Sequence, residues 1–212
     1  MNVNEKSQAH EACRVVVVAA SAGGIDALTQ VLSRLPADLP APVLVVQHLR
    51  DDRPSRLADY LARHCLLPVR LAQDGLHLDA GVVYVAMPGQ HLRVENGRCA
   101  LDLAAPVHYV RPSADVLFAS AAQTYGPNVI GVVLSGTGSD GARGCQEIKA
   151  NGGATIAADA NTSGYFSMAK AAIEAGAIDC VLPVEQIAGR IMALAKSGAI
   201  GSRESGEQKR RR

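Results

Sequence analysis

The sequence predicts an α/β domain, a doubly wound, mostly parallel sheet flanked by helices with an appended antiparallel β-hairpin. Three observations carry that reading. Apolar, β-branched runs alternate with segments whose apolar residues recur at helical spacing. The runs are continuous rather than alternating, as expected of strands buried on both faces of a parallel sheet. An Asn-Gly pair, Asn96-Gly97, separates two further strand-like runs and predicts a two-residue hairpin turn, because both residues tolerate positive φ.

The elements follow in order. Residues 14–20 form the first strand, and Ile25, Leu28, Val31, Leu32 and Leu35 mark a helix closed by Pro36. Residues 43–46 form a strand. A helix follows from about Pro54, which suits a first turn because its missing N–H has no intrahelical partner there; Leu57, Leu61 and Cys65 form its apolar stripe. Residues 82–85 are the next strand, and residues 91–95 and 98–103 flank the hairpin turn. Ser113 is placed as the N-cap of a helix reaching Tyr125. Then come a strand at 129–134, a glycine-rich loop and a helix carrying Cys145, Ile148 and Lys149, which Asn151-Gly152-Gly153 ends. A strand at 154–158, a helix at 168–175, a short strand at 180–182 and a helix at 184–196 complete one domain. Residues 1–13 read as a polar leader and 197–212 as a flexible basic tail ending in Lys209-Arg210-Arg211-Arg212.

Composition narrows the function. The 212 residues are 48% hydrophobic and 19% charged, enough for a sizeable core. A formal net charge of +1 gives no basic field suited to nucleic acid, and 3% aromatics without tryptophan gives no stacking platform for single strands. Five scattered cysteines (Cys13, Cys65, Cys99, Cys145, Cys180) with no Cys-x-x-Cys pair point to reduced thiols and a cytoplasmic protein. There is no signal peptide, and no apolar run reaches the roughly 20 residues that span a bilayer, so no membrane insertion is expected. His10, His64, His77 and His108 show no metal-type spacing, so neither metal nor cofactor is expected.

Three polar motifs sit at strand ends. The first strand runs into Ser21-Ala22-Gly23-Gly24, the second into Gln47-His48, and the strand at 129–134 into Ser135-Gly136-Thr137-Gly138-Ser139-Asp140-Gly141. In a parallel sheet the carboxyl ends share one edge, where ligands bind, so a serine, a histidine and an aspartate distant in sequence meet as nucleophile, base and orienter. Each has a plainer reading. Ser21 suits a helix cap or a phosphate-binding turn, although the Gly-x-Gly-x-x-Gly dinucleotide fingerprint is missing. His48 suits an ordinary hydrogen-bonded strand-end residue, and Asp140 suits a cap on the helix that begins at Gly141. His91 either lines the cleft or is a hairpin residue.

At these motifs the chain resembles the catalytic domain of the chemotaxis protein-glutamate methylesterase (CheB) family, over roughly residues 14–196. Ala20 to Gly24 resembles the family's serine-bearing glycine turn, Val46-Gln47-His48 its histidine strand end, and Ser135 to Gly141 its aspartate loop. Tyr84 to Leu92, Arg111 to Phe118 and Tyr165 to Met168 extend the likeness. Thr137 stands where the family usually has methionine, Ala22 where threonine is frequent, and Ser167 and Ala169 replace the usual glycine and proline around Met168. The resemblance implies hydrolysis of glutamate γ-methyl esters on chemoreceptor cytoplasmic helices, with glutamine deamidation as a companion activity. Ser21, His48 and Asp140 would be the triad, with Ala22, Gly23, Thr137, Gly138, His91 and Met168 around the oxyanion and substrate cleft. Family members typically carry an N-terminal receiver domain, and only about a dozen residues precede the first strand here, so the chain is read either as a stand-alone esterase domain or as one piece of a larger system, with a receiver or chemosensory signalling protein as the candidate partner in trans. The alternatives are a non-catalytic Rossmann-like module binding a nucleotide or another anion, and a degenerate regulator that grips receptors without hydrolysis.

Overall fold

The first strand, β1 (Val15–Ala20), is buried along its whole length. Its side chains alternate between two hydrophobic cores, Val15, Val17 and Ala19 on one face and Val16, Val18 and Ala20 on the other. That two-sided burial is why the run carries no polar residue. The computed structural model describes residues 14–49 and 55–197. The leader, the tail from residue 198 on, Cys13, His10 and Pro54 lie outside them.

Seven parallel strands form the sheet in the order β3-β4-β2-β1-β7-β8-β9. They are β1, β2 (Val43–Gln47), β3 (Val69–Leu71), β4 (Val83–Val85), β7 (Val129–Val133), β8 (Ala154–Ala158) and β9 (Cys180–Leu182). From β1 the chain winds outward through β2, then crosses back to lay β7 against the other side of β1. The crevice at that reversal is where open α/β sheets bind ligands. On one face α1 (Gly24–Leu32), α2 (Leu57–Ala62) and α6 (Val184–Ser197) bury Leu28, Leu61, Ile187 and Ile191. On the other, α3 (Ala114–Tyr125), α4 (Ala142–Ala150) and α5 (Ser167–Glu174) bury Phe118, Ile148 and Met168. Each such side chain contributes about 1.5–3 kcal/mol by leaving water.

The hairpin β5 (His91–Glu95) and β6 (Arg98–Asp102) turns at Asn96 (φ 50°) and Gly97 (φ 71°), both positive as the Asn-Gly pair predicts. It forms a separate two-stranded sheet beside the parallel one. Besides its pairing with β6, β5 is bonded to a helix at Val94. Val94 N–H donates to Ser120 Oγ at 3.0 Å, and Thr124 Oγ1 donates to Val94 O at 3.0 Å, both from α3.

The differences from the sequence reading are local. The first helix stops at Leu32, yet Leu35 beyond it is fully buried, so the apolar periodicity continues past the helix. Ile25 does not join the buried stripe; it is 37% exposed. The six-residue α2 ends before Cys65, which packs on the core from the following turn. The strand β3 has no counterpart in the sequence reading, being three residues directly after Pro68.

Candidate active site

The carboxyl ends of three adjacent strands build the site. Ser21 follows β1, His48 follows β2, and the loop after β7 carries Thr137 to Asp140. Ser21, Ala22, Gly23, Gln47, His48 and Thr137 line one open cleft of about 1300 Å³, with Ile25, Leu49 and Tyr60 on its walls. A smaller hollow of about 340 Å³ joins Ser21 and His48 to Gly138, Ser139 and Asp140. Serine and histidine therefore share a wall; no hydrogen bond links them among the described residues. Resting hydrogen bonds between nucleophile and base are commonly loose until substrate binds.

His48 is held from behind. Its Nε2 lies 2.8 Å from Asp140 Oδ2, with side-chain exposures of 12% and 4%. An ionised carboxylate only accepts, so Nε2 carries the proton and Nδ1 keeps the lone pair. Asp140 also accepts from Ser113 Oγ at 2.7 Å, Ala114 N–H at 2.6 Å and Asp115 N–H at 3.1 Å. Burial raises the Asp140 pKa, but the hydrogen bonds from His48, Ser113, Ala114 and Asp115 outweigh it and hold the carboxyl below its ordinary range.

Asp140 does cap a helix, but not the one the sequence suggests. It accepts the first N–H groups of α3, where anionic charge also meets the positive end of the helix dipole. Ser113 occupies the N-cap position, yet its hydroxyl turns to Asp140 rather than to the helix. The α4 terminus is served in return by Asp115 Oδ1, which accepts Gly141 N–H at 2.9 Å and Gly144 N–H at 2.7 Å.

The Ser21 turn is pinned from both sides. Ser21 N–H donates to Ser135 O at 2.9 Å, and Ser21 O accepts from Gly24 N–H at 2.8 Å and from Gln47 Nε2 at 2.8 Å. Ser135 Oγ donates to Ala22 O at 2.8 Å and accepts from Tyr165 N–H at 3.0 Å, tying the two loops together. The N–H groups of Ala22 and Thr137 have no acceptor among the described residues, and both residues line the cleft.

Known proteins carry a similar sequence and fold. A sequence profile of the CheB methylesterase family matches residues 16–191. The chain belongs to the CheB methylesterase family. It is 50% identical over 173 residues to protein-glutamate methylesterase/protein-glutamine glutaminase 2 of Anaeromyxobacter dehalogenans, covering 82% of this chain and 51% of that protein. Against the corresponding protein of Archaeoglobus fulgidus the identity is 42% over 193 residues, covering 89% and 55%. The crystal structure of the Thermotoga maritima CheB methylesterase catalytic domain superposes with a TM-score of 0.81 at 35% identity, covering 86% of this chain and 98% of that one. The chain thus spans about half the length of the curated relatives it matches.

Within this CheB-family site, two expected cleft residues sit elsewhere. His91 is 1% exposed: its Nδ1 accepts Ser113 N–H at 3.1 Å and its Nε2 donates to Ala105 O at 3.1 Å, so it braces the hairpin behind Asp140. Met168 is fully buried, its sulfur packed beneath Gly136 while its N–H donates to Gly136 O at 3.0 Å. Both support the loops rather than line the cavity. The roles of Ser113, Asp115 and Gln47 were not drawn from the sequence. Gln47 adjoins His48 and Asp115 lies in the Arg111–Phe118 segment, but their partners are between one and 29 residues away.

Proposed function

We propose that this chain is a protein-glutamate methylesterase working through Ser21, His48 and Asp140. The observation that carries the proposal is the shared cleft of Ser21 and His48, with the imidazole held at Nε2 by a buried, ionised Asp140. A serine hydroxyl is a weak nucleophile without an adjacent base. His48 Nδ1 takes the Ser21 proton as Oγ attacks the ester carbonyl, then returns it to the departing methoxide. Water deacylates the enzyme by the same route, regenerating the glutamate carboxylate. Asp140 fixes the tautomer and stabilises the imidazolium. The Ala22 and Thr137 N–H groups receive the oxyanion, at about 3–4 kcal/mol per donor in other hydrolases. An amide leaving group follows the same path, giving glutamine deamidation.

The substrates are the methylated cytoplasmic helices of chemoreceptors, and a receiver or chemosensory signalling protein acts on the chain in trans. Support comes from membership of the CheB methylesterase family and from the open cleft, which admits a side chain on a protein surface. Among the described residues no helix is long and apolar enough to cross a membrane. Methanol release from methylated receptor-bearing membranes tests the proposal. The wild-type chain releases methanol; Ser21→Ala folds equally well and releases none. Retained turnover by Ser21→Ala, or none by folded wild type, overturns it.

A further inference from the structure

Gln47 is the last residue of β2 and pairs in register with Ala20, the last residue of β1. The β1–β2 ladder ends there with His48 N–H donating to Ala20 O at 3.0 Å. That rung holds His48 N–H against the Ala20–Ser21 peptide; beyond it no backbone hydrogen bond among the described residues joins the Ser21 and His48 carbonyl groups.

The Gln47 carboxamide spans the gap. Its Nε2 donates to Ser21 O at 2.8 Å and to His48 O at 3.0 Å, using both amide hydrogens on the backbone of the two residues. The orientation is decided by chemistry. A flipped amide would set an acceptor against two carbonyl acceptors, so the nitrogen must face them. The cost is visible on the other side, where Oε1 is buried without a hydrogen-bond partner. Leaving such an acceptor unpaired costs about 1–3 kcal/mol, so stability alone does not explain a glutamine here. Gly24 makes room for it: a Cβ on Gly24 would come within 2.3 Å of Oε1. Gln47 is itself only 4% exposed, so its bridge is shielded from competing water.

We infer that Gln47 is a positioning residue that sets the separation of nucleophile and base by bridging the carbonyl oxygens of Ser21 and His48. The inference rests on the esterase reading above. It predicts loss of turnover without loss of substrate binding, because the bridge acts on the Ser21–His48 pair and not on the substrate.

The test uses two variants of the full chain. Gln47→Glu keeps the shape but replaces the donor by an acceptor at neutral pH; Gln47→Met keeps the volume and removes all hydrogen bonding. Both are followed by methanol release, by the rate at which phenylmethylsulfonyl fluoride modifies Ser21, and by thermal unfolding. The expected result is a fall in kcat of about 10- to 100-fold, as for a small misplacement of reacting groups, with KM within about threefold. Modification of Ser21 slows in parallel. Lowering the pH restores part of the Gln47→Glu modification rate relative to Gln47→Met, since a protonated carboxyl donates again. Wild-type turnover matched by both variants overturns the inference, as does a loss confined to KM or failure of both variants to fold. A folded wild type that releases no methanol fails the esterase reading instead, and the Ser21 modification rates still decide whether Gln47 aligns the pair.

Discussion

Asp140 receives four hydrogen bonds, from an imidazole, a hydroxyl and two helix N–H groups, and all four favour its ionised form. One carboxylate therefore orients the proposed base and anchors the start of α3. Replacing it by asparagine leaves the site's shape but removes the charge that fixes the tautomer. The expected loss in kcat for Asp140→Asn is about 10⁴-fold, the cost of the same change in a serine protease triad. A pH effect accompanies it. The folded pKa of Asp140 is depressed, so its stabilising contribution is fully present above the unfolded carboxyl value of about 3.9 and is lost as pH falls through the lower folded value. Urea midpoints measured downward from pH 6 will show the gap between wild type and Asp140→Asn narrowing in acid; a constant gap would contradict the assigned shift. Ser21 and His48 stood out in the sequence because each directly follows a recognisable strand, and Asp140 because it closes the glycine-rich loop after β7. The roles of Gln47 and Ser113 did not, since a side chain's choice of backbone partner is settled only when β1 meets β2, or when α3 meets the β7 loop.

The α3 and α4 helices exchange caps. Asp140, preceding α4, serves the N-terminus of α3, and Asp115 in the first turn of α3 serves that of α4. Gly144 permits the contact, since a Cβ there would lie 2.5 Å from Phe118 Cβ and 3.1 Å from Asp115 Cα. Asp115 is under opposite stresses. Burial raises its pKa and the nearby Asp140 adds to that, while the Gly144 and Gly141 N–H groups and His108 pull it back; the net is upward. Only Oδ1 caps α4. Oδ2 lies 3.4 Å from His108 Nε2 in an ion-pair contact but makes no hydrogen bond. Asp115→Asn therefore keeps both caps and sheds a poorly solvated charge. The folded pKa is raised, so wild type loses stability as pH rises from the unfolded carboxyl value through the folded one, a loss Asp115→Asn escapes. At neutral pH its thermal midpoint should match or exceed wild type, whereas Asp115→Ala orphans two N–H groups and loses about 1–3 kcal/mol. Equal destabilisation by the two would refute the cap assignment. At this scale the sequence was read correctly for type and order of elements. It was misread where a neighbour overrides the local signal: Asp140 sits beside α4 in sequence but beside α3 in space. The strand β3 escaped because three residues show no periodicity, and only pairing with β4 makes them a strand.

Two cores lie on opposite faces of one sheet: one packs beneath the Asp140 loop, and the helices α1 and α2 of the other wall the cleft. The α3–α4–α5 face holds Phe118, Met168 and Ala114 beneath the loops of Asp140 and Gly136. The α1–α2–α6 face holds Ile191 among strand residues Val16, Ile130 and Ile156. The periodic burial that makes this division was legible from the continuous valine runs. Which face holds the Asp140 loop was not, because that depends on strand order. The division separates stability from activity. Ile191→Ala and Phe118→Ala both empty fully buried sites, at about 2–5 kcal/mol each. In a chain of this size that lowers the thermal midpoint by about 4–20 °C. Ile191 lies in the core on the opposite face of the sheet from Phe118, so kcat per folded Ile191→Ala molecule should stay within about twofold of wild type. Phe118 packs where α3 and α4 exchange caps, so its loss lets the Asp140 carboxylate shift relative to His48. A displacement approaching 1 Å is expected to cost up to about 10²-fold in kcat. Active-site titration with a serine-directed inhibitor, paired with thermal unfolding, separates fewer working molecules from slower ones. Equal kcat per titrated site in the two variants would show that the Asp140 loop is held independently of the core beneath it.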